Sequence, residues 1–94
     1  MNRIEFIISN NLQPYYINFF DFFMMLYDLN IKYRQIKPNN NCIILQLDYN
    51  DLIYINNNFN NRIVNMYNHI YKININIIDN NTMEIYLTFM GVSG

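Results

Sequence analysis

The sequence predicts a small α+β domain in which two helices lie on one face of an antiparallel sheet. In several short segments apolar residues alternate with polar ones, which is typical of half-buried strands. In two longer segments apolar residues recur at spacings of three and four, which is typical of helices. A chain of 94 residues is long enough for one hydrophobic core, so we expect a single domain over residues 1–94.

The first two predicted elements are a strand and a helix. RIEFIIS, residues 3–9, alternates apolar and polar side chains and predicts a strand with one buried face. The helix begins after the asparagines that precede Pro14, because asparagine caps helix starts and proline is tolerated in a first turn. We expect it to end near Asn30, since asparagine accepts the left-handed conformation of a helix C-cap.

The remaining elements complete a β-α-β-β-α-β-β order. They are strands at 31–36 and 42–48, a helix at 51–72, a strand around KININ (72–76), a turn at 79–81 and a strand at 82–90. CIILQLD, the strand at 42–48, is nearly continuous in apolar residues, which predicts a place inside the sheet. The first six elements match the split βαβ, or ferredoxin-like, plan, and the fifth strand would extend the sheet as a hairpin.

The first helix contains an unusual aromatic run, FFDFFMML, at residues 19–26. On a helix, Asn18, Asp21 and Asp28 fall in one narrow polar stripe, and nearly all other positions are apolar. A helix that covers a sheet needs an apolar arc of only about 100° or somewhat more. We therefore expect one flank to cover the sheet and a second flank to remain for a partner, with burial of the whole run in the core as the alternative.

The predicted partner-binding surface combines that second flank with the open face of the sheet. Arginine and tyrosine are favoured at protein interfaces, so one of each is included from the sheet. The residues predicted to contact a partner are Phe19, Phe20, Phe23, Tyr27, Arg34 and Tyr86.

Composition disfavours several classes of protein. The chain is 52% hydrophobic and 14% charged, a combination that disfavours disorder. Its net charge is −1, whereas a protein that follows phosphates needs a basic surface, so we expect no direct nucleic-acid binding. The apolar run at 15–29 is shorter than the roughly 20 residues of a membrane span and carries two aspartates, so we expect no membrane segment.

Groups that could carry catalysis are few, and we expect no enzyme activity, no metal site and no cofactor. The single histidine, His69, has no evident partner in the sequence, and Cys42 would become a thiol nucleophile only if the fold placed it beside His69. Asp48 and Asp51 in DYND form the best metal or catalytic candidate, with helix capping by Asn50 or Asp51 as the simpler interpretation. Two glycines, both near the C-terminus, cannot form a phosphate-binding loop.

These observations favour a protein that acts by binding another protein. The 20 asparagines and 17 isoleucines have AT-rich codons, which indicates an AT-rich genome such as that of a virus, a phage, an organelle, or some bacteria and protists. We expect a small non-enzymatic factor in the host cytoplasm that occupies the surface of a host protein, with an anti-CRISPR-like inhibitor of a defence enzyme as one form. Alternatives are a structural subunit of a large assembly, a homodimer, and a small-ligand-binding or enzymatic ferredoxin-like domain.

Overall fold

The computed structural model describes residues 14–38 and 42–93, with side chains described for residues 19–36 and 42–93. The strand predicted at residues 3–9 lies outside the described residues. The elements are α1 (Pro14–Asp28), β1 (Tyr33–Pro38), β2 (Ile43–Leu47), α2 (Tyr49–Phe59), β3 (Arg62–Met66), β4 (His69–Asp79) and β5 (Thr82–Val92).

The five strands form one antiparallel sheet in the order β1-β2-β5-β4-β3. This confirms the predicted α+β class, and the two helices with their antiparallel sheet are consistent with a ferredoxin-like arrangement. Strand β2 lies between β1 and β5, as its continuous apolar sequence predicted. The long β4–β5 hairpin turns at the predicted residues 79–81, where the Asp79 carboxylate accepts a 2.9 Å hydrogen bond from the Asn81 backbone N–H.

Both helices pack on the same face of the sheet, because they share one core with it. Inward side chains pair across the strands, for example Leu45 with Met83 and Ile43 with Ile85. The buried apolar residues of this core are Phe19, Phe22, Leu26, Ile31, Ile43, Leu45, Leu47, Leu52, Ile55, Met66, Tyr71, Ile73, Met83 and Ile85. Burial of these side chains is the main term that holds α1 and α2 against the strands.

Helix α1 ends as predicted, in a Schellman turn with Asn30 in the left-handed conformation (φ 57°). The Asn30 N–H donates to the Tyr27 carbonyl and the Ile31 N–H donates to the Leu26 carbonyl, each at 3.0 Å. Leu26 and Ile31 are both buried in the core, which is the apolar contact that accompanies this motif. The turn directs the chain from α1 into β1.

The prediction of one helix over residues 51–72 is wrong. Helix α2 ends at Phe59, and the chain turns at Asn61, which has a φ of 62°. The Asn61 N–H donates to the Ile73 carbonyl at 2.7 Å, and the Asn60 side chain accepts from the Ile75 N–H at 2.8 Å. Ile63 fitted the helical spacing, but it lies on β3 and is 61% exposed, so its spacing did not reflect a buried helical face.

A tight hairpin joins β3 to β4. Tyr67 and Asn68 both have positive φ, at 55° and 70°, as a type I′ turn requires. The Asn65 side chain accepts a 3.0 Å hydrogen bond from the Asn68 N–H. The turn starts β4 at His69 and places His69 and Tyr71 on the sheet face that carries the helices, because alternate residues of a strand share a face.

Candidate functional site

The aspartate within the aromatic run is fully buried. Asp21 is 0% exposed, although its sequence spacing placed it on a polar stripe with Asp28. The Asp21 Oδ2 atom accepts a 2.5 Å hydrogen bond from the Tyr71 hydroxyl and lies 2.8 Å from His69 Nδ1. The carboxylate within the aromatic run therefore faces the sheet.

A second carboxylate of α1 meets the same hairpin. Asp28 lies seven residues after Asp21, about 10 Å farther along the same helix face. It accepts a hydrogen bond from the Tyr67 hydroxyl. Burial, this hydrogen bond and the negative charge of Asp28 raise the pKa of Tyr67 to about 12. The stripe of aspartates thus joins α1 to the β3–β4 hairpin at two points.

The partner of His69, which was not evident from the sequence, is therefore Asp21. Its side chain is 22% exposed and is flanked edge-on by Tyr71 and Phe89, with ring centroids 6.4 and 6.2 Å away. An aspartate that orients a histidine supplies two of the three groups of a nucleophilic triad. The sequence contained a signal for this contact, because an aspartate among phenylalanines needs hydrogen-bond donors when the run is buried.

The structure does not bring Cys42 to His69. Cys42 precedes β2 next to the Ile43–Ile85 pair, whereas His69 pairs with Val92 at the far end of β5. Ile85 pairs with Ile75, six residues along β4 from His69, which is about 20 Å at about 3.3 Å per residue. The Asp21–His69–Tyr71 cluster is accordingly best interpreted as part of the core that fixes α1 on the hairpin.

The DYND segment caps a helix. Asp48, and neither Asn50 nor Asp51, is the N-cap residue of α2, and its carboxylate accepts a 3.2 Å hydrogen bond from the Asn50 N–H. Asp51 occupies the first turn of α2. Over residues 14–38 and 42–93, no three histidine, cysteine, aspartate or glutamate side chains group as metal ligands.

The helical residues predicted to bind a partner divide between core and surface. Phe19 is 3% exposed and belongs to the core, which corrects its predicted place on a free flank. Phe23 is half-buried and stacks on Tyr33 of β1 with centroids 5.4 Å apart and rings 7° from parallel. Phe20 is half-buried, and Tyr27 is 79% exposed. The free flank is therefore narrower than the sequence predicted.

Arg34 and Tyr86 lie on the other face of the sheet. Tyr33 turns toward α1, so its neighbour Arg34 points away from the helices. Tyr86 likewise follows the buried Ile85 on β5 and points away. The six predicted residues thus do not form one continuous surface, and their role in binding stays a prediction.

Tyr86 has a specific environment on that face. A hydrogen bond with the Cys42 thiol, together with the charges of Cys42 and Glu84, raises the pKa of the Tyr86 phenol. Cys42 itself is buried. Tyr86 is 39% exposed, so part of its side chain is accessible on that face.

Two surface features lie around the helices, and of their residues only Phe20 and Tyr27 were predicted as partner contacts from the sequence. The first is the outer stripe of α1, which we define as Phe20, Met24 and Tyr27, at helical spacings of four and three. The second is an open groove of about 450 Å³ between the end of α1 and the first turns of α2. The groove is lined by Leu29, Ile31, Asn50, Asp51 and Tyr54.

No known protein family, curated protein or solved structure matches the chain. Among the described residues, no helix has the length and apolar character needed to cross a bilayer.

Proposed function

We propose that the protein is a small non-enzymatic binding factor that covers the surface of another protein with the outer stripe of α1. The observation that supports this is the exposure of large side chains on a helix that already fills the core. Tyr27 is 79% exposed and Met24 is 40% exposed, while Phe22 and Leu26 on the inner side are fully buried. Tyrosine and methionine are enriched at protein interfaces, where they supply apolar area with a polar edge.

A protein partner fits the charge of the chain better than a nucleic acid does. The net charge is −1, so no excess of basic groups is available for phosphates. The few acidic groups are nearly balanced by basic ones, which disfavours mimicry of a nucleic acid. Apolar and aromatic contact is the mode of binding that the outer stripe supports.

In its most specific form, the proposal is a virus- or phage-encoded factor that occupies the surface of a host protein in the cytoplasm. An inhibitor of a host defence enzyme is one such factor. This form rests on the AT-rich composition of 20 asparagines and 17 isoleucines.

The test is affinity capture from a nuclease-treated host lysate with tagged wild type and two charge-matched variants. Tyr27→Asp places a charge in the outer stripe, and Asn57→Asp places the same charge on an exposed position of α2. We expect wild type and Asn57→Asp to retain one stoichiometric protein and Tyr27→Asp to lose it, with unchanged unfolding midpoints. Equal retention by all three proteins would contradict the proposed surface.

A structural subunit of a large assembly is the second candidate, and a separate group of exposed apolar side chains favours it. Ile63 on β3 and Met90 and Val92 near the end of β5 are all more than half exposed. A subunit with several neighbours needs more than one contact surface. Capture of two or more proteins, one lost in Tyr27→Asp and another in Ile63→Lys, would establish this candidate.

A further inference from the structure

The groove between α1 and α2 combines apolar walls with one carboxylate. Leu29 and Tyr54 are partly exposed at its rim, and Ile31 is buried beneath. Asn50 and Asp51 add the polar groups from the first turn of α2. An occupant must therefore offer an apolar portion and a group that suits a carboxylate.

Asp51 is the charged residue among those that line this groove. Its side chain is half-buried, and within the described part of the chain no salt bridge joins it to a lysine or arginine. The neighbouring Asp48 caps α2, and its carboxylate adds to the negative charge near Asp51. The positive end of the α2 dipole compensates part of the Asp51 charge, but it does not supply a hydrogen-bond donor that extends along the groove.

We propose that the groove receives an arginine side chain of the partner protein. The guanidinium group would donate to the Asp51 carboxylate beside the ring of Tyr54, and the aliphatic stem would lie against Leu29 and Ile31. This assignment rests on the proposed function and specifies the chemistry of its partner.

Arginine fits this groove better than lysine does. A guanidinium group is planar, can bond a carboxylate through two N–H groups, stacks on aromatic rings and is weakly hydrated. The ammonium group of lysine is a strongly hydrated point charge and would lose more solvation beside Leu29 and Tyr54. An anionic occupant is disfavoured because Asp51 lines the groove and Asp48 lies one turn away.

The test is an amide NMR titration of the ¹⁵N-labelled protein with N-acetyl-arginine amide, N-acetyl-lysine amide and neutral N-acetyl-citrulline amide. We expect arginine amide to shift the amides of Asn50, Asp51 and Tyr54 with millimolar affinity, at least fivefold more tightly than lysine amide. Citrulline amide should not saturate these shifts. Equal binding of arginine and citrulline amides would overturn the proposal, as would no binding of arginine amide.

Two matched variants show which carboxylate binds the arginine amide. Asp51→Asn should weaken arginine amide at least fivefold, whereas Asp48→Asn keeps a capping side chain and should change it less than twofold. The opposite ranking would overturn the assignment of Asp51. Tyr27→Asp should bind arginine amide like wild type, so failure of the outer stripe as a partner site is distinguished from failure of the groove.

A second copy of the chain could also supply the arginine, from the exposed Arg34 or Arg62. In that case the Asp51 amide would shift when the protein alone is diluted, and Arg34→Gln or Arg62→Gln would abolish the shift. That result would overturn the proposal that the arginine belongs to a different protein. Shifts that are independent of protein concentration are the expected outcome.

Discussion

Asp21 and Asp51 are both aspartates on helices beside tyrosines, but their surroundings differ. Asp21 is fully buried, and Tyr71 and His69 approach one of its oxygens from the strand below α1. Asp51 is half-buried in an open groove, where no lysine or arginine of the described chain forms a salt bridge with it. A carboxylate whose donors come from within the chain stabilises the fold, whereas one that faces an open groove can take its donor from another molecule.

The largest expected difference between the two regions is in stability. Asp21→Ala would leave the buried Tyr71 hydroxyl and the partly exposed His69 ring without their acceptor, and we expect a loss of about 3–5 kcal/mol in the free energy of unfolding. Asp51→Ala removes a helix-dipole contact and should change that free energy by less than about 1 kcal/mol. Urea unfolding of both variants measures this difference. Equal losses of stability would contradict the separate roles assigned to Asp21 and Asp51.

The hydroxyl of Tyr71 tests the same cluster with a smaller change. Tyr71→Phe keeps the buried ring and removes the donor 2.5 Å from Asp21, so we expect a loss of about 1–3 kcal/mol. Tyr54→Phe makes the same change at the exposed rim of the groove and should stay within about 0.5 kcal/mol of wild type. Thermal unfolding of the pair provides the comparison, and a larger loss in Tyr54→Phe would contradict it.

The N-cap of α2 tests whether Asp48 and Asp51 have separate roles. Asp48→Ala should destabilise the protein by about 1 kcal/mol because the Asn50 N–H loses its side-chain acceptor. Asp48→Asn should restore most of this stability, since asparagine caps helices as well as aspartate does. Unfolding followed by circular dichroism measures both variants, and equal losses for the two substitutions would show that capping is not the role of Asp48.

The smallest expected effect on stability concerns the hydrogen bond between Asp28 of α1 and Tyr67 of the β3–β4 hairpin. The pKa of Tyr67 is raised above its ordinary value of about 10, so the protonated phenol favours the folded state. Its contribution is complete below pH 10 and is lost as the pH rises through about 12. Tyr67 is partly exposed, so the effect is screened, and Tyr67→Phe should make unfolding slightly less sensitive to alkaline pH.

The contradictory result for this last prediction is a wild-type and a Tyr67→Phe protein with identical stability profiles between pH 9 and pH 12. Asp28→Asn provides the matched control, because it removes the charge that helps to raise the pKa of Tyr67. Spectroscopic titration of the phenol should then show a lower pKa for Tyr67 in this variant.

Sequence patterns predicted the elements whose signals were local and repeated. The end of α1 at Asn30 and the alternation of β5 were both predicted from residue type and spacing. The boundary of α2 was missed because the chain contains 20 asparagines, so the asparagines at 60–61 did not stand out as a turn. The hairpin at Tyr67 and Asn68 was missed because it lacks the usual Asn-Gly pair.

The candidate sites could be predicted only in part, for a similar reason. Periodicity placed Asp21 and Asp28 correctly on one face of α1, but it could not show that this face meets a hairpin that was itself predicted as a helix. Spacing identified Tyr27 as a surface residue, yet it also placed the buried Phe19 there. The groove joins residues about 20 positions apart, so only the tertiary fold could assemble it.

The most direct test of the division between folding and binding regions is hydrogen exchange of the protein with and without its captured partner. We predict that the partner protects amides in residues 20–29 and 49–54, around the outer stripe and the groove. Residues 62–79, which carry His69 and Tyr71, should exchange as they do in the free protein. Protection confined to residues 62–79 would contradict this account, because the region assigned to stabilising the fold would then be the binding site.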